Sequence, residues 1–143
     1  MITPEVIASR VSEPAGMTEI ERQAYAGLTA AAALAHSTAS NAGWYRNPLT
    51  GETIARNFGE VVALMHSELS EALEAHRKSL MDDKLSHRPG IEVEFADCII
   101  RILDTAAALG FDVAGALIEK NRFNQARADH KLENRRQAGG KAY

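Results

Sequence analysis

The chain has few cysteine, proline and aromatic residues, and neither sign of charge is in large excess. Its one cysteine, Cys98, excludes an internal disulfide and a zinc site of paired cysteines, so we expect a reducing, cytoplasmic setting. The 16 basic and 19 acidic residues give a net charge of -3, so the chain does not have the excess of basic residues that is typical of a nucleic-acid or anionic-membrane binder. No apolar run reaches the roughly 18 residues of a membrane span. The N-terminal residues also do not show the positively charged segment followed by an apolar run that a signal peptide has. We therefore expect neither a nucleic-acid nor a membrane partner.

The remaining composition, 45% hydrophobic and 24% charged over 143 residues, is that of one ordinary globular domain. No segment shows the period-two alternation of a strand. Four helices are predicted. The first covers residues 18–41, the second begins at 54 or 57 and ends at 80, and the third covers 91–109. The fourth begins at 113 and ends at 127 or continues to 136. Thr18 and Glu21 have capping-box spacing, Gly110 is placed as a C-cap and Asp112 as an N-cap. The predicted fold class is all-α, with the arrangement of a four-helix bundle.

The third helix is predicted to be apolar on more sides than one layer of four helices can cover. Its apolar residues include Ile91, Phe95, Cys98, Ile99, Ile100, Ile102, Leu103 and Leu109. We therefore expect subunits to associate through this helix or the first one, which makes the protein a homo-oligomer. Residues 1–16 are interpreted as an N-terminal extension, 17–138 as the domain, and 139–143 as a flexible tail.

Acidic side chains fall on or beside the apolar faces of the second and third helices. Glu68 lies inside the apolar sector of the second helix, and Glu71 borders it. The third helix has one narrow charged strip, formed by Glu94, Asp97, Arg101 and Asp104. If the two helices pair as an antiparallel hairpin, Glu68 and Glu71 lie opposite the acidic start of this strip. An enclosed polar site is the interpretation that this pattern favours.

Carboxylates gathered in a partly buried site repel each other, and hard divalent cations with oxygen ligands relieve that repulsion. Mg²⁺ suits this ligand set, with Mn²⁺ as a substitute; an all-oxygen set disfavours zinc, and the absence of a Glu-x-x-His motif argues against a di-iron bundle. The alternative is that Asp97, Arg101 and Asp104 form a solvated ladder of salt bridges.

The fourth helix supplies positive charge. Lys120, Asn124 and Arg127 share one face at i, i+4 and i+7, and Lys131 continues that face if the helix extends. Such donors suit phosphate oxygens. The alternative is that a basic stripe near a helix C-terminus only balances the helix macrodipole.

Two paired motifs resemble a known family. Glu68-x-x-Glu71, followed after 22 residues by Glu94-x-x-Asp97, resembles the metal signature of the MazG-like all-α nucleoside triphosphate pyrophosphohydrolases. The resemblance covers about residues 41–141, so that residues 17–138 are identified as a MazG-type domain.

The later part of the chain resembles the same family. The run from Lys120 to Arg127 is similar to its Lys-x-x-Tyr-Asn-x-x-Arg segment, although Phe123 stands where a tyrosine is usual. Residues 43–45, 50–52 and 56–60 are similar to short, often phage-related members.

The resemblance implies a Mg²⁺-dependent enzyme that hydrolyses a nucleoside triphosphate, the deoxy form favoured, to the monophosphate and pyrophosphate. Water would attack the α-phosphorus, and the role would be nucleotide-pool housekeeping. The implied metal ligands are Glu68, Glu71, Glu94 and Asp97, and Glu71 is our choice for the carboxylate that orients or deprotonates water. The implied phosphate contacts are Lys120, Asn124 and Arg127, with Arg101 as a further candidate. Family members form dimers or tetramers, so a homodimer or homotetramer is expected.

Trp44, in the loop before the second helix, is a candidate for stacking on the base. Its alternative role is to pack on the domain or on a partner subunit. The histidines show no metal-ligand spacing and are expected at the surface; they are His36, His66, His76, His87 and His130. Two other functions stay open: a catalytically idle protein that binds nucleotide or a partner, and a structural helical oligomer whose acidic strip is a salt-bridge network.

Overall fold

The computed structural model describes residues 13–137, and within them every regular element is helical. The predicted all-α class is confirmed for this part of the chain. The predicted extension over residues 1–16 lies outside the described residues except for 13–16, and the predicted tail over 139–143 lies wholly outside them.

The helices begin and end close to the predicted positions. Their bounds are α1 Glu19–Asn41, α2 Phe58–Lys78, α3 Gly90–Leu109, α4 Val113–Ala126 and the short α5 Leu132–Arg135, with a 3-10 turn at Ala128–His130. The capping box is confirmed, since the Thr18 N–H donates to the Glu21 carboxylate over 2.7 Å and the Glu21 N–H donates back to the Thr18 hydroxyl over 3.4 Å. Asn57 and Asp112 cap α2 and α4 by accepting from backbone N–H groups three residues on.

The possible continuation of the fourth helix to Arg136 is wrong. Arg127 has φ -68° and ψ 131°, an extended backbone that ends α4, and its guanidinium turns to Asp129 two residues on. The chain then makes only one 3-10 turn and one turn of α-helix. Lys131 therefore does not continue the basic face of α4.

Two compact units make up the described chain. The first contains the residues up to Thr29 and those from Asp112 onward. In it, Arg122 of α4 forms two hydrogen bonds to Glu21, of 2.7 and 2.8 Å, and donates to the carbonyls of Ala15 and Gly16. This pairing, with the cap at Thr18, lowers the pKa of Glu21 to about 2.

The second unit, Ala30–Phe111, contains the α2–α3 hairpin. The helices run antiparallel: the Cys98 thiol, halfway along α3, contacts the Met65 carbonyl, whereas the start of α3 meets the end of α2. There a Cβ built on Gly90 would lie 3.0 Å from that of Ala75, so the helix backbones approach closely. The buried apolar residues of the hairpin are mostly small: Val61, Ala72, Ala75, Cys98, Leu103 and Ala106.

Candidate metal centre and adjoining cavities

The antiparallel hairpin brings three of the four predicted metal ligands together. Glu68 on α2 is 6% exposed, and Glu94 and Asp97 lie one turn apart on α3, so that one carboxylate oxygen from each of the three lies within 4.8 Å of the others. Glu94 is half-buried and Asp97 is exposed, so the group is partly buried and accessible to solvent at Asp97.

The acidic side chains disfavour each other's ionisation. The pKa of Glu94 is raised to about 7, first by burial and then by the charge of Glu71 and by interaction with Glu68. Burial and the charge of Glu68 also raise the pKa of Asp97, against the opposing effect of Arg101. A protonated or cation-bound state is therefore favoured at this position near neutral pH.

Arg101 already contributes one positive charge to the group. Its Nε donates to the Glu68 Oε1 over 2.7 Å, and the side chains are 35% and 8% exposed. The residue was a candidate for phosphate contact; the structure places its guanidinium on a predicted metal ligand instead of leaving it unpaired. An ion pair to a buried carboxylate is consistent with either a metal site or the structural salt-bridge alternative.

Glu71, the predicted water-activating residue, lies beside the group but outside the set of three. It is exposed, and its charge acts on Glu94. Glu71 and Glu94 share the wall of a cleft of about 230 Å³ with Asp82 and Asp83. The acidic surface therefore continues past the three close carboxylates toward the α2–α3 connection.

The group of Glu68, Glu94 and Asp97 could hold a metal ion. Its three donors are carboxylate oxygens, which suit hard divalent cations better than zinc or copper. The raised pKa of Glu94 fits a position that a bound cation would stabilise in its ionised form.

A second polar cluster lies further along α3 and was not predicted. Asp104 is 3% exposed; its Oδ1 accepts from the Tyr45 hydroxyl over 2.8 Å and lies 2.9 Å from the His36 Nδ1, while its Oδ2 lies 3.6 Å from Arg56. Burial and the bond to Asp104 raise the pKa of Tyr45 to about 12, so its hydroxyl stays protonated. The expectation that His36 is a surface residue is wrong, because it is half-buried against this carboxylate.

Two cavities adjoin this cluster, which we call the outer and inner cavities. The outer cavity, about 450 Å³, is lined by Ala39, Trp44, Arg56, Leu64, Asp97, Ile100, Arg101 and Asp104. The inner cavity, about 420 Å³, is lined by six apolar residues and by His36, Ser40, Tyr45, Thr53, Arg56 and Thr105. Asp97 belongs to both the acidic group and the outer cavity, and Arg56 lines both cavities.

Trp44 forms one wall of the outer cavity. It is 64% exposed, and the guanidinium of Arg56 lies 6.0 Å from its ring centroid and 6.0 Å from that of Tyr45. The exposed ring is accessible to a ligand in this cavity, as the stacking interpretation requires.

The predicted basic residues lie in the first unit. The Lys120 Nζ is 4.7 Å and the Arg127 guanidinium 5.9 Å from the ring centroid of Phe123. Arg127 also pairs with Asp129, and Asn124 accepts the backbone N–H of Arg127 at the end of α4. Lys120 and Arg127 thus flank one aromatic ring near the C-terminus of α4.

Each helix within residues 13–137 lacks the length or the apolar character that crossing a bilayer demands. No family model, no curated protein and no solved structure matches the chain.

Proposed function

We propose that the protein is a Mg²⁺-dependent nucleoside triphosphate pyrophosphohydrolase that converts a (d)NTP to the (d)NMP and pyrophosphate. The observation that carries the proposal is the meeting of Glu68, Glu94 and Asp97 within 4.8 Å on an antiparallel helix pair. These are three of the four residues of the motif that resembles the MazG-like family. The proposal also includes a cytoplasmic location and a role in nucleotide-pool housekeeping.

The carboxylates take the roles of metal ligands and of base. Glu68, Glu94 and Asp97 hold the ion, and Glu71 at the edge of the group completes the set and orients or deprotonates the attacking water. Mg²⁺ would neutralise phosphate charge and make water a better nucleophile. Arg101 donates to the carboxylate of Glu68 and is a further candidate for phosphate contact.

The substrate contacts extend beyond the acidic group. Trp44 is proposed to stack on the nucleoside in the outer cavity, which Asp97 also lines. Lys120, Asn124 and Arg127 are proposed to donate to phosphate oxygens. The deoxynucleotide is the favoured form of the substrate.

We also propose that the protein is a homodimer or homotetramer. Phe95, Ile99 and Ile102 share one face of α3 at i, i+4 and i+7, and each is between 37% and 53% exposed in the single chain. Large apolar side chains that recur on one helix face are typical of a surface covered by a partner.

One observation favours a second candidate. The Arg101–Glu68 pair is what a structural salt-bridge network would contain, so a helical oligomer without a metal site is the alternative. The enzyme and the structural oligomer differ in their response to ligands, because Mg²⁺ with a nucleotide raises the melting temperature only if both bind the folded state. An unchanged melting temperature at saturating concentrations favours the structural protein, and a rise without turnover favours the catalytically idle binding protein.

Substitution of the carboxylates tests the enzyme proposal. Glu71→Gln and Asp97→Asn each keep side-chain size but remove a charge, and we expect at least a 100-fold loss of Mg²⁺-dependent turnover, on the order of the loss when one catalytic group is removed. Glu92→Gln is the matched control, because Glu92 is on the same helix as Asp97, is exposed, and pairs with Arg88 across one turn. If both variants hydrolyse as fast as the control, the site assignment is wrong.

A further inference from the structure

Asp104 is a buried carboxylate that the proposed reaction does not use. An ionised group at 3% exposure is stable only when it is paired and hydrogen-bonded. Asp104 has three partners from three other parts of the second unit: His36 of α1, Tyr45 of the following loop, and Arg56 just before α2. The cluster therefore fixes these side chains relative to each other.

The contact with Asp104 sets the form of the His36 ring. A carboxylate oxygen 2.9 Å from Nδ1 accepts a hydrogen bond, so the ring carries a proton at Nδ1. A neutral imidazole with its proton at Nδ1 has an unprotonated Nε2. In that tautomer, the Nε2 is a hydrogen-bond acceptor. Its partner in the structure is the Ser40 hydroxyl at 3.5 Å, the outer limit of a hydrogen bond, so a ligand can compete for it.

The inner cavity places this acceptor among apolar walls. Ile54, Phe58, Val61 and Leu109 line the cavity with His36 and Ser40. Three further hydroxyls lie on its wall, those of Tyr45, Thr53 and Thr105. Tyr45 donates to Asp104, and Thr105 donates to the Arg101 carbonyl over 2.7 Å. A flat, mostly apolar ring with a hydrogen-bond donor on one edge is complementary to such a wall.

The same helix connects this cavity to the acidic group. Asp97 and Asp104 are seven residues apart on one face of α3, about 10.5 Å along the helix axis. Arg56 lines both cavities. A nucleotide with its phosphates at Asp97 and its base edge at His36 requires the outer and inner cavities to be continuous past Arg56, the residue that lines both.

We propose that Asp104 is a positioning residue that holds the His36 Nε2 as an acceptor in the inner cavity, and that this acceptor selects nucleotides whose base carries an amino group at C4 of a pyrimidine or C6 of a purine. Cytosine and adenine present an N–H donor where uracil, thymine and guanine present a carbonyl oxygen. This inference rests on the proposed function for the identity of the ligand as a nucleotide. A carbonyl oxygen facing the Nε2 leaves two acceptors unpaired, so we expect nucleotides of uracil, thymine and guanine to bind at least tenfold more weakly.

The test uses Asp104→Asn to move the proton of the His36 ring from the Nδ1 to the Nε2. Because Arg56 can only donate, the amide oxygen turns to Arg56 and the amide NH₂ to the Nδ1, which moves the ring proton to the Nε2. The ring then offers a donor to the cavity. His36→Ala is the second variant, since it removes the imidazole with its Nε2 acceptor and leaves Asp104 with its partners Tyr45 and Arg56. Glu92→Gln is again the matched control, as it removes an exposed ion pair on the same helix.

Binding of dCMP, dAMP, dUMP and dGMP by isothermal titration calorimetry in chelator is the measurement, since it depends neither on metal nor on turnover. We expect a preference of at least tenfold for dCMP and dAMP in the wild type and the control, a reversed preference in Asp104→Asn, and none in His36→Ala. Equal affinities in the wild type, a uniform loss in Asp104→Asn, or no binding of any of the four overturns the inference.

The enzyme proposal is separable in the same experiment. A wild-type protein that shows the base preference but never releases pyrophosphate contradicts the hydrolase alone. One that hydrolyses all bases with equal KM, and binds the four monophosphates equally, contradicts only the role of Asp104. A merely structural role predicts similar losses of stability and affinity for every base.

Discussion

Glu94 lies in an environment that differs from that of an ordinary exposed glutamate. Its pKa is raised from 4.5 to about 7 by burial and by the neighbouring carboxylates, so the folded protein holds this proton at pH values at which the unfolded chain has lost it. Without a cation, ionising Glu94 therefore works against folding. The same residue gives a bound cation its stabilising effect.

We expect the free energy of unfolding of the metal-free protein to fall as the pH rises from about 4.5 to about 7. Glu94→Gln removes this contribution and makes the metal-free protein more stable than the wild type above pH 7, by about 1 kcal/mol after allowance for solvent screening. Urea unfolding in chelator at pH 5 and pH 8 measures the change. An unaltered pH dependence in Glu94→Gln would show that Glu94 titrates normally.

Arg101→Gln is expected to destabilise the metal-free protein by about 1–2 kcal/mol, because it leaves the buried carboxylate of Glu68 without its cation. Mg²⁺ should then stabilise the variant more than the wild type, since the ion takes over part of that compensation. Thermal unfolding with and without Mg²⁺ tests this. The control is Arg88→Gln, whose ion pair with Glu92 is exposed; equal behaviour of the two variants contradicts the prediction.

The sequence was informative about one polar cluster and not about the other. The spacing of Glu68, Glu94 and Asp97 was sufficient because both helices are regular, so the position along each helix determines which side chains meet. Asp104 was visible only as part of the charged strip. Its partners Tyr45 and Arg56 come from an irregular loop, where no periodicity indicates which side chain points inward.

At the scale of elements, the glycines of α1 and α4 differ in what surrounds them. Gly27 in α1 has nothing within 4 Å of a built Cβ, whereas a Cβ on Gly115 would collide with the carboxylate of Asp112, which caps α4 by accepting the Gly115 N–H. We expect Gly27→Ala to stabilise the protein by about 0.5–1 kcal/mol and Gly115→Ala to destabilise it. Chemical unfolding of both variants measures this, and stabilisation by both would mean that the cap does not constrain Gly115.

The helix ends show which local signals were sufficient. The capping box at Thr18, the N-cap Asp112 and the C-cap Gly110, with φ 70°, lie where the sequence predicted them. For α4 the sequence left two ends open, at Arg127 and at Arg136, because no glycine or proline directly follows Arg127. The break depends on the extended backbone of Arg127, which periodicity does not detect.

At the scale of the whole molecule, the exposed apolar face of α3 is the main feature that a single chain leaves unexplained. We expect light scattering to give a mass of two or four times 15.5 kDa. Ile99→Glu should lower that mass, because it places a charge in the covered face, whereas Leu49→Glu in an already exposed loop should not. A wild-type mass near 15.5 kDa contradicts the oligomer.

The central claim is that the acidic group hydrolyses nucleoside triphosphates at the α-phosphorus. Product analysis with all eight NTPs and dNTPs, in Mg²⁺ and in chelator, tests it most directly. The account predicts monophosphate and pyrophosphate in equal amounts, with release abolished by chelator. No product from any of the eight in Mg²⁺ or Mn²⁺, or release of inorganic phosphate with the diphosphate, would contradict it.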